Sequence, residues 1–552
     1  MANRILYFAI VVALISVGCS DREPLDGAHP GPRLDGAVEL GRVSPDTVLD
    51  LVIGVRLRDA VRLHKFLDAQ DDTRDSMSSD DFADAFAASA GRYARLLTWL
   101  RAQGLTIVRT APGRTSVSAR GSARAVERAF GAELHQFEDG SGRFVASVTA
   151  LTLSPDVAPS VSGVVGVEGG LPWLSHMVRP QVSPQAAAQS FGATDLETQY
   201  GSTGTSNPGQ GETVVILGAG NAPATSDVQG YYTTYEPYGL TAPPAPYNIH
   251  LVGGANRDGN DIAELERQEN TLDIEMVSAI APYADVEHVL TATNTPGLFA
   301  DGIAYIVNQL KDAHAVTVSY GTCERGAASY MPVVHAMLAQ AKAQGQTWFF
   351  ASGDSGSDGC RSGATNKILS AGWPASAPFA VGVGGTQINS GSTEVVWNSY
   401  PGSIFMPGGG GGGGVSESLD KPAFQLGVTP DDGARDEPDV AALAGAPYIN
   451  IYIAGASPFG NTTLTGGTSA AAPVWAGVWA LLEQSKGHTA ISNSLEGLYA
   501  LGKVQKGFHD VVGGNLGGPG DTASGGYAAA AGYDLATGWG TPNAADLIAS
   551  WQ

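Results

Sequence analysis

The chain alternates between short apolar runs and amphipathic stretches. Residues 47–55, Thr-Val-Leu-Asp-Leu-Val-Ile-Gly-Val, predict a strand; residues 59–69 and 92–103 carry apolar positions at helical spacing, the second helix stopped by Gly104. Strands at 105–109 and 115–119, a helix at 122–130, and strands at 133–137 and 143–146 follow. That order predicts a small α+β unit, an antiparallel sheet backed by helices, closing near Val167. Past a proline-bearing connection, residues 213–218 form an unbroken apolar run of the kind buried on both faces of a parallel sheet. Residues 286–290, 315–319, 347–351 and 379–383 predict further strands between helical segments. The second unit is therefore predicted to be α/β, a parallel sheet covered by helices with its functional groups in loops at the strand ends.

At 552 residues and 43% hydrophobic, the chain has material for more than one core, and its 73 glycines suit tight turns and close crossovers. Charge separates the two units. Residues 1–189 hold 19 basic against 21 acidic side chains, whereas residues 190–552 hold 12 against 33. So acidic a domain repels nucleic acid and anionic membranes at neutral pH, and loses self-repulsion as its carboxylates protonate. Residues 1–19, with Arg4 ahead of the apolar run 5–17, read as an export signal too short to span a bilayer comfortably. Location is thus expected to be secreted or in the cell envelope, with lipid attachment at Cys19 as a minority option because Ser16 replaces the usual larger aliphatic residue. The expected divisions are a signal at 1–19, a polar linker at 20–45, the small domain at 46–172, a cleavable linker at 173–189 and the large domain at 190–552.

The chemistry centres on Gly466-Gly467-Thr468-Ser469-Ala470-Ala471-Ala472-Pro473, which sets a serine at a sharp turn into a helix of small residues. Ser469 is the candidate nucleophile; the same stretch also fits a serine-capped helix. A hydroxyl needs a base, and none of the ten histidines stands in the His-Gly-Thr-His context that subtilisin-like hydrolases use. Glu269 and Asp273 instead share one helix face with Met276, Val277 and Ile280, while Glu275 points elsewhere. Two carboxyls that close share a proton, which makes a base working in acid; a solvated acidic face is the alternative. Asp354, in Ser352-Gly353-Asp354-Ser355-Gly356 after an apolar strand, can donate to an oxyanion when protonated, or merely close a glycine turn.

The Glu-x-x-x-Asp, Ser-Gly-Asp-Ser-Gly and Gly-Thr-Ser-x-x-x-Pro runs, in this order, resemble the motifs of the sedolisins, the serine-carboxyl peptidases typified by kumamolisin. Residues 120–131, Leu134-His135 and 161–167 resemble that family's activation domain. The resemblance implies a subtilisin-like catalytic domain behind a small ferredoxin-like prodomain. It also implies Ser469 as nucleophile, Glu269 as general base and acid, Asp273 as its partner and Asp354 as oxyanion carboxyl. Near the end, Phe508-His509-Asp510-Val511 and Ala530-Ala531-Gly532-Tyr533-Asp534 resemble the family's calcium site. Its ligands would be Asp510, Val511, Ala530, Gly532 and Asp534, two carboxylates with backbone carbonyls for one hard cation, Ala530 standing where a second glycine is usual. An Asp-capped pair of turns is the other reading.

Together these features predict an exported zymogen of an acid-active endopeptidase, cutting protein or peptide substrates, inhibited by its own prodomain and self-processing in acid. A tripeptidyl-peptidase, a histidine-dependent hydrolase and a non-catalytic surface binding protein are the rival readings. Cys323 and Cys360 follow two strand ends, where a disulfide between them would brace the Asp354 loop; the sequence leaves open whether they pair. The seven glycines of 408–414 are expected to be a flexible loop without chemistry of their own.

Overall fold

The computed structural model describes residues 22–25, 31–68, 76–180, 190–201, 204–235, 240, 243, 246–257, 264–360, 369–389, 393–400, 408–457, 460–518 and 525–551. The expected export signal with Cys19, and residues 181–189 of the expected cleavable linker, lie outside these.

In the small domain, β1 (Val48–Val55), α1 (Ala90–Ala102), β2 (Thr106–Thr110), β3 (Ser116–Ser122), α2 (Ala123–Phe130) and β4 (Val161–Val165) follow in sequence. The strands lie in the order β2-β3-β1-β4, all antiparallel, which is the ferredoxin-like βαββαβ arrangement. The helices start where serines cap them: Ser89 Oγ accepts from the Arg92 amide and Ser122 Oγ from the Ala125 amide, each at 3.3 Å. They cover one sheet face, burying Leu96, Leu100, Val126 and Phe130 against Leu51, Ile53 and Val117. Val38–Arg42, inside the stretch read as a polar linker, pairs with Leu134–Asp139 in a second small sheet.

The connecting segment carries β5 (Leu174–Ser175), and the large domain follows it. That domain runs through β6 (Thr213–Ala219), β7 (Tyr247–Val252), α3 (Glu264–Ile280), β8 (Asp285–Thr291), α4 (Pro296–Gln309), β9 (Ala315–Val318), β10 (Tyr320–Cys323) and α5 (Met331–Ala343). Then come β11 (Thr347–Ala351), β12 (Val381–Asn389), β13 (Thr393–Val396), β14 (Val440–Leu443) and α6 (Thr468–Ser485). The central sheet runs β7-β8-β6-β9-β11-β12-β13, with β14 also on β12, and every pairing is parallel except β12–β13. The apolar runs thus became strands buried on both faces; Trp348, Phe349 and Phe350 of β11 are fully buried. Helices α3 and α6 cover one face, touching where a side chain on Gly477 would stand 2.8 Å from Ile280.

Helices α4 and α5 cover the other face, and the open face of the small domain's sheet lies on them. Gly54 and Gly163 admit Val333, whose methyl would sit 2.6 Å from a Cβ at either position. Thr115 Oγ1 donates to Gln340 at 2.7 Å, Ser79 Oγ to Gln344 at 2.9 Å, and Arg109 pairs with Asp301 at 2.5 Å. Among the described residues no helix is long and apolar enough to cross a membrane.

Cys323 and Cys360 form a disulfide, tying the end of β10 to the loop after β11. The flexible-loop expectation fails for Gly409–Gly413, which are buried. Their backbone is stitched under the Asp354 loop: Gly410 N donates to Asp354 O at 3.1 Å, Gly412 N to Gly353 O at 2.7 Å, and Gly412 O accepts from Ser352 Oγ at 3.0 Å. A side chain at Gly412 or Gly413 would collide with the Ser352 or Leu535 carbonyl, so close approach of backbones, and not freedom of motion, calls for glycine here.

Candidate active site

Ser469 is the second residue of α6 and fully buried. The turn before it depends on Gly467, at φ 98°, where any side chain would collide with the Asp354 carboxyl and the His176 carbonyl. Pro473 has no amide to give the Ser469 carbonyl four residues earlier. Ser319 Oγ fills that place at 3.1 Å and also lies 2.6 Å from Asp273 Oδ1. One hydroxyl carries one proton, so both contacts are satisfied when a protonated Asp273 donates to Ser319, which donates onward to the Ser469 carbonyl.

The acidic face of α3 does not meet solvent, because it packs against α6. Glu269 and Asp273 are both fully buried. Desolvation pushes Glu269 well above the usual carboxyl range and its neighbour Asp273 adds to this, while hydroxyls of Ser175 and Ser469 oppose the rise. Burial lifts Asp273 to about 8, opposed by Ser319. The pair therefore shares a single negative charge at most over the acid range. Glu275 turns away from the serine and accepts the Tyr452 amide at 2.9 Å. Ser469 Oγ rests on the Ser319 carbonyl at 3.2 Å, and among the described residues no histidine nitrogen bonds to it.

Asp354 faces Ser469 from the loop after β11. Its Oδ1 accepts from the Thr468 amide at 2.8 Å and from Thr468 Oγ1 at 2.9 Å, whereas its buried Oδ2 has no hydrogen-bond partner. Desolvation lifts this carboxyl to about 8. Protonated, Oδ2 is a donor aimed into the space beside Gly467.

That space is filled by the chain itself. β5 pairs antiparallel with β10, Leu174 opposite Gly321 and Ser175 opposite Tyr320. His176 N donates to Ser319 O at 3.1 Å, and Val178 exchanges bonds of 3.0 and 2.9 Å with Gly466. Between these anchors the His176 carbonyl accepts from the Ser469 amide at 3.1 Å. Ser175 Oγ donates to Glu269 Oε2. Trp173, fully buried, stacks on Phe299 at 4.8 Å and meets Trp373 edge-on. The segment thus lies across the site as an extended strand held on both sides of the serine. Sequence reasoning missed Ser175 and His176, since nothing in a polar, proline-bearing connection distinguishes a residue seated in a cleft from a solvated one.

The two C-terminal segments also come together. Gly532 N donates to Asp510 Oδ2 at 2.9 Å and Ala530 N to Asp534 Oδ2 at 2.8 Å, while Asp534 Oδ1 takes the amides of Ala536 and Thr537. Burial raises the Asp534 pKa. Among the described residues no backbone amide donates to the carbonyls of Val511, Ala530 or Gly532. Three carbonyls without an amide donor, beside two carboxylates that keep lone pairs beyond these amide bonds, fit a hard, oxygen-seeking cation.

A family model described as the pro-kumamolisin activation domain matches residues 35–169, and one described as the subtilase family matches residues 280–498. Sedolisin of Pseudomonas sp. (strain 101) is 27% identical over 528 residues, covering 90% of this chain and 86% of its own. Kumamolisin of Bacillus sp. (strain MN-32) is 28% identical over 549 residues, covering 94% of each. Among solved structures, Pseudomonas sedolisin, a serine-carboxyl proteinase complexed with two molecules of pseudo-iodotyrostatin, matches with a TM-score of 0.54 at 26% identity, over 66% of this chain and 98% of that one. The chain is accordingly a serine-type peptidase, a pro-kumamolisin activation domain followed by a subtilase-family domain, with sedolisin and kumamolisin among its homologues.

Proposed function

We propose that the protein is the exported precursor of an acid-active serine-carboxyl endopeptidase, and that it matures by cutting its own chain between His176 and Met177. The observation that carries this reading is the His176 carbonyl accepting the Ser469 amide while the strand is pinned on both sides. Ser469 Oγ attacks that carbonyl carbon and its proton passes to Glu269, the charge of the acidic pair falling on Glu269 while neutral Asp273 donates to Ser319, which holds the Ser469 carbonyl. The oxyanion is held by the Ser469 amide and by protonated Asp354. Glu269 then returns the proton to the Met177 nitrogen as the C–N bond breaks, and a water deprotonated by Glu269 releases the acyl group from Ser469.

Acid suits Asp354 in the precursor, and Glu269 once the strand has left the cleft. Asp354 donates only while neutral, and burial keeps it so up to about 8. Glu269 is needed ionised, and the strand in the cleft opposes that by drying it; departure of the strand lets water in and moves its pKa back toward the ordinary range. The segment enters through a pocket holding Trp173, the fourth residue upstream of the bond cut. A cleft that accepts a fourth residue, with chain continuing beyond it, favours an endopeptidase over a tripeptide-releasing enzyme.

Asp510 and Asp534 with the carbonyls of Val511, Ala530 and Gly532 would hold one Ca2+, which would supply structural bracing of the C-terminal loops and take no part in the chemistry. Residues 1–19 would direct export. The test of the maturation step is to hold the purified precursor at neutral pH, acidify it, and sequence the new N-terminus. Met177 as first residue, with Ser469→Ala remaining intact, is expected. A first cut at another bond, or cutting that persists in Ser469→Ala, overturns the assignment.

A further inference from the structure

At the end of the sheet opposite the serine, three elements bring metal-binding side chains together. Glu212 stands in the turn into β6, His314 just before β9, and Glu483 near the end of α6, fourteen residues past Ser469 and so about 21 Å along the helix. One ligand atom from each lies within 4.8 Å of the other two. Glu212 is 4% exposed and Glu483 1%. Glu483 Oε1 has no hydrogen-bond partner, and it is this atom that faces His314 Nδ1, at 4.0 Å. His488 reaches over from the loop after α6, its Nδ1 on Glu212 Oε1 and its amide on the Glu483 carbonyl at 3.0 Å. Gly211, at φ 85°, makes room: a side chain there would stand 2.8 Å from the His488 ring.

The donors decide what fits. Two buried carboxylates facing one another are costly, and burial raises the pKa of both, with the charge of Glu212 adding to the rise at Glu483. A divalent cation removes the cost by matching their two charges. Imidazole nitrogen beside carboxylate oxygen selects a borderline transition metal over Ca2+ or Mg2+, which take oxygen alone.

We propose that Glu212, His314 and Glu483 bind a single Zn2+-type ion, with His488 orienting Glu212 and a fourth position open to water. Tetrahedral zinc with bonds of about 2.0–2.2 Å needs ligand atoms about 3.4 Å apart, so the side chains close by roughly 1 Å on binding. His314, whose side chain is 21% exposed, gives the ion its way in. The ion cross-links the starts of two central strands to the end of the serine helix, a structural clamp remote from the reaction.

The test uses the full-length, untagged Ser469→Ala protein, stripped of metal and titrated with ZnCl2 at pH 7 by calorimetry, with thermal melts alongside. One equivalent binding with Kd below about 10 μM, a raised Tm and no competition from millimolar Ca2+ are expected. His314→Ala, at a partly exposed position, should keep the circular dichroism spectrum of the parent and lose at least tenfold in affinity, as should Glu483→Gln. No binding at neutral pH, or binding that His314→Ala leaves unchanged, overturns the proposal.

Discussion

Replacing Asp354 separates donation of a proton from mere presence of a carboxyl. Its Oδ1 is fixed by two donors, the Thr468 amide and hydroxyl, and its Oδ2 lies free beside the carbonyl that the Ser469 amide holds. Asp354→Ala removes one oxyanion donor of two, a loss of about 2.7–4 kcal/mol or 10²–10³ in kcat for such donors, with kcat and kcat/KM falling together. Asp354→Asn behaves differently. An amide can satisfy the Thr468 amide N–H only with its oxygen, so its NH2 is forced into the Oδ2 position, where it donates without needing a proton. That variant should keep kcat within about tenfold of the parent, against the 10²–10³ of the alanine change. It should also lose whatever alkaline decline Asp354 imposes near its pKa of about 8. The assay is kcat and kcat/KM on an internally quenched peptide from pH 3 to 9, using mature domain released from each variant precursor by wild-type enzyme. An Asp354→Ala enzyme within threefold of the parent, or an Asp354→Asn enzyme as slow as Asp354→Ala, refutes the oxyanion role.

Three further outcomes follow from neighbouring contacts. Ser175 lowers the pKa of Glu269 and leaves with the prodomain, so Ser175→Ala should move the acid limb of self-cleavage to higher pH, read by gel densitometry, and leave the mature enzyme's peptide kinetics unchanged. Glu437, buried and accepting the Gly372 amide at 3.0 Å, is raised to about 8; its stabilising effect is complete below an unfolded pKa of about 4.3 and lost as pH rises toward 8. Glu437→Gln in the Ser469→Ala background should therefore raise Tm at pH 8.5 relative to its parent and leave Tm at pH 4.5 unchanged, by scanning calorimetry. Removing calcium with EGTA should lower the Tm of the mature domain by several degrees, since a site at 100 times its Kd contributes about 2.7 kcal/mol; Asp534→Ala should abolish the response.

Much of this was legible in residue pattern because the pattern reports burial. Strands β6 and β11 announce themselves as apolar runs, and the spacing of Glu269 and Asp273 fixes their common helix face. What pattern cannot report is which surface a polar segment meets. The α3 carboxyls look like a solvated stripe until α6, with its alanines and Gly477, packs against them and takes the water away. The glycines of 409–413 have the composition of a mobile loop, yet Gly411, Gly412 and Gly413 are each called for by a backbone passing too close for a Cβ. Ser175 and His176 acquire their meaning only from β10 and Gly466, more than a hundred residues away in sequence. The Glu212, His314 and Glu483 cluster is likewise spread over 271 positions, with no local spacing to mark it.

The most direct test of the account is proteolysis of an unfolded protein between about pH 3 and 8, a range that spans carboxyl and histidine titration, comparing wild type with Ser469→Ala and Glu269→Ala. Activity confined to acid and abolished in both variants is the predicted result. Activity at neutral pH only, or activity that survives Glu269→Ala, would contradict it.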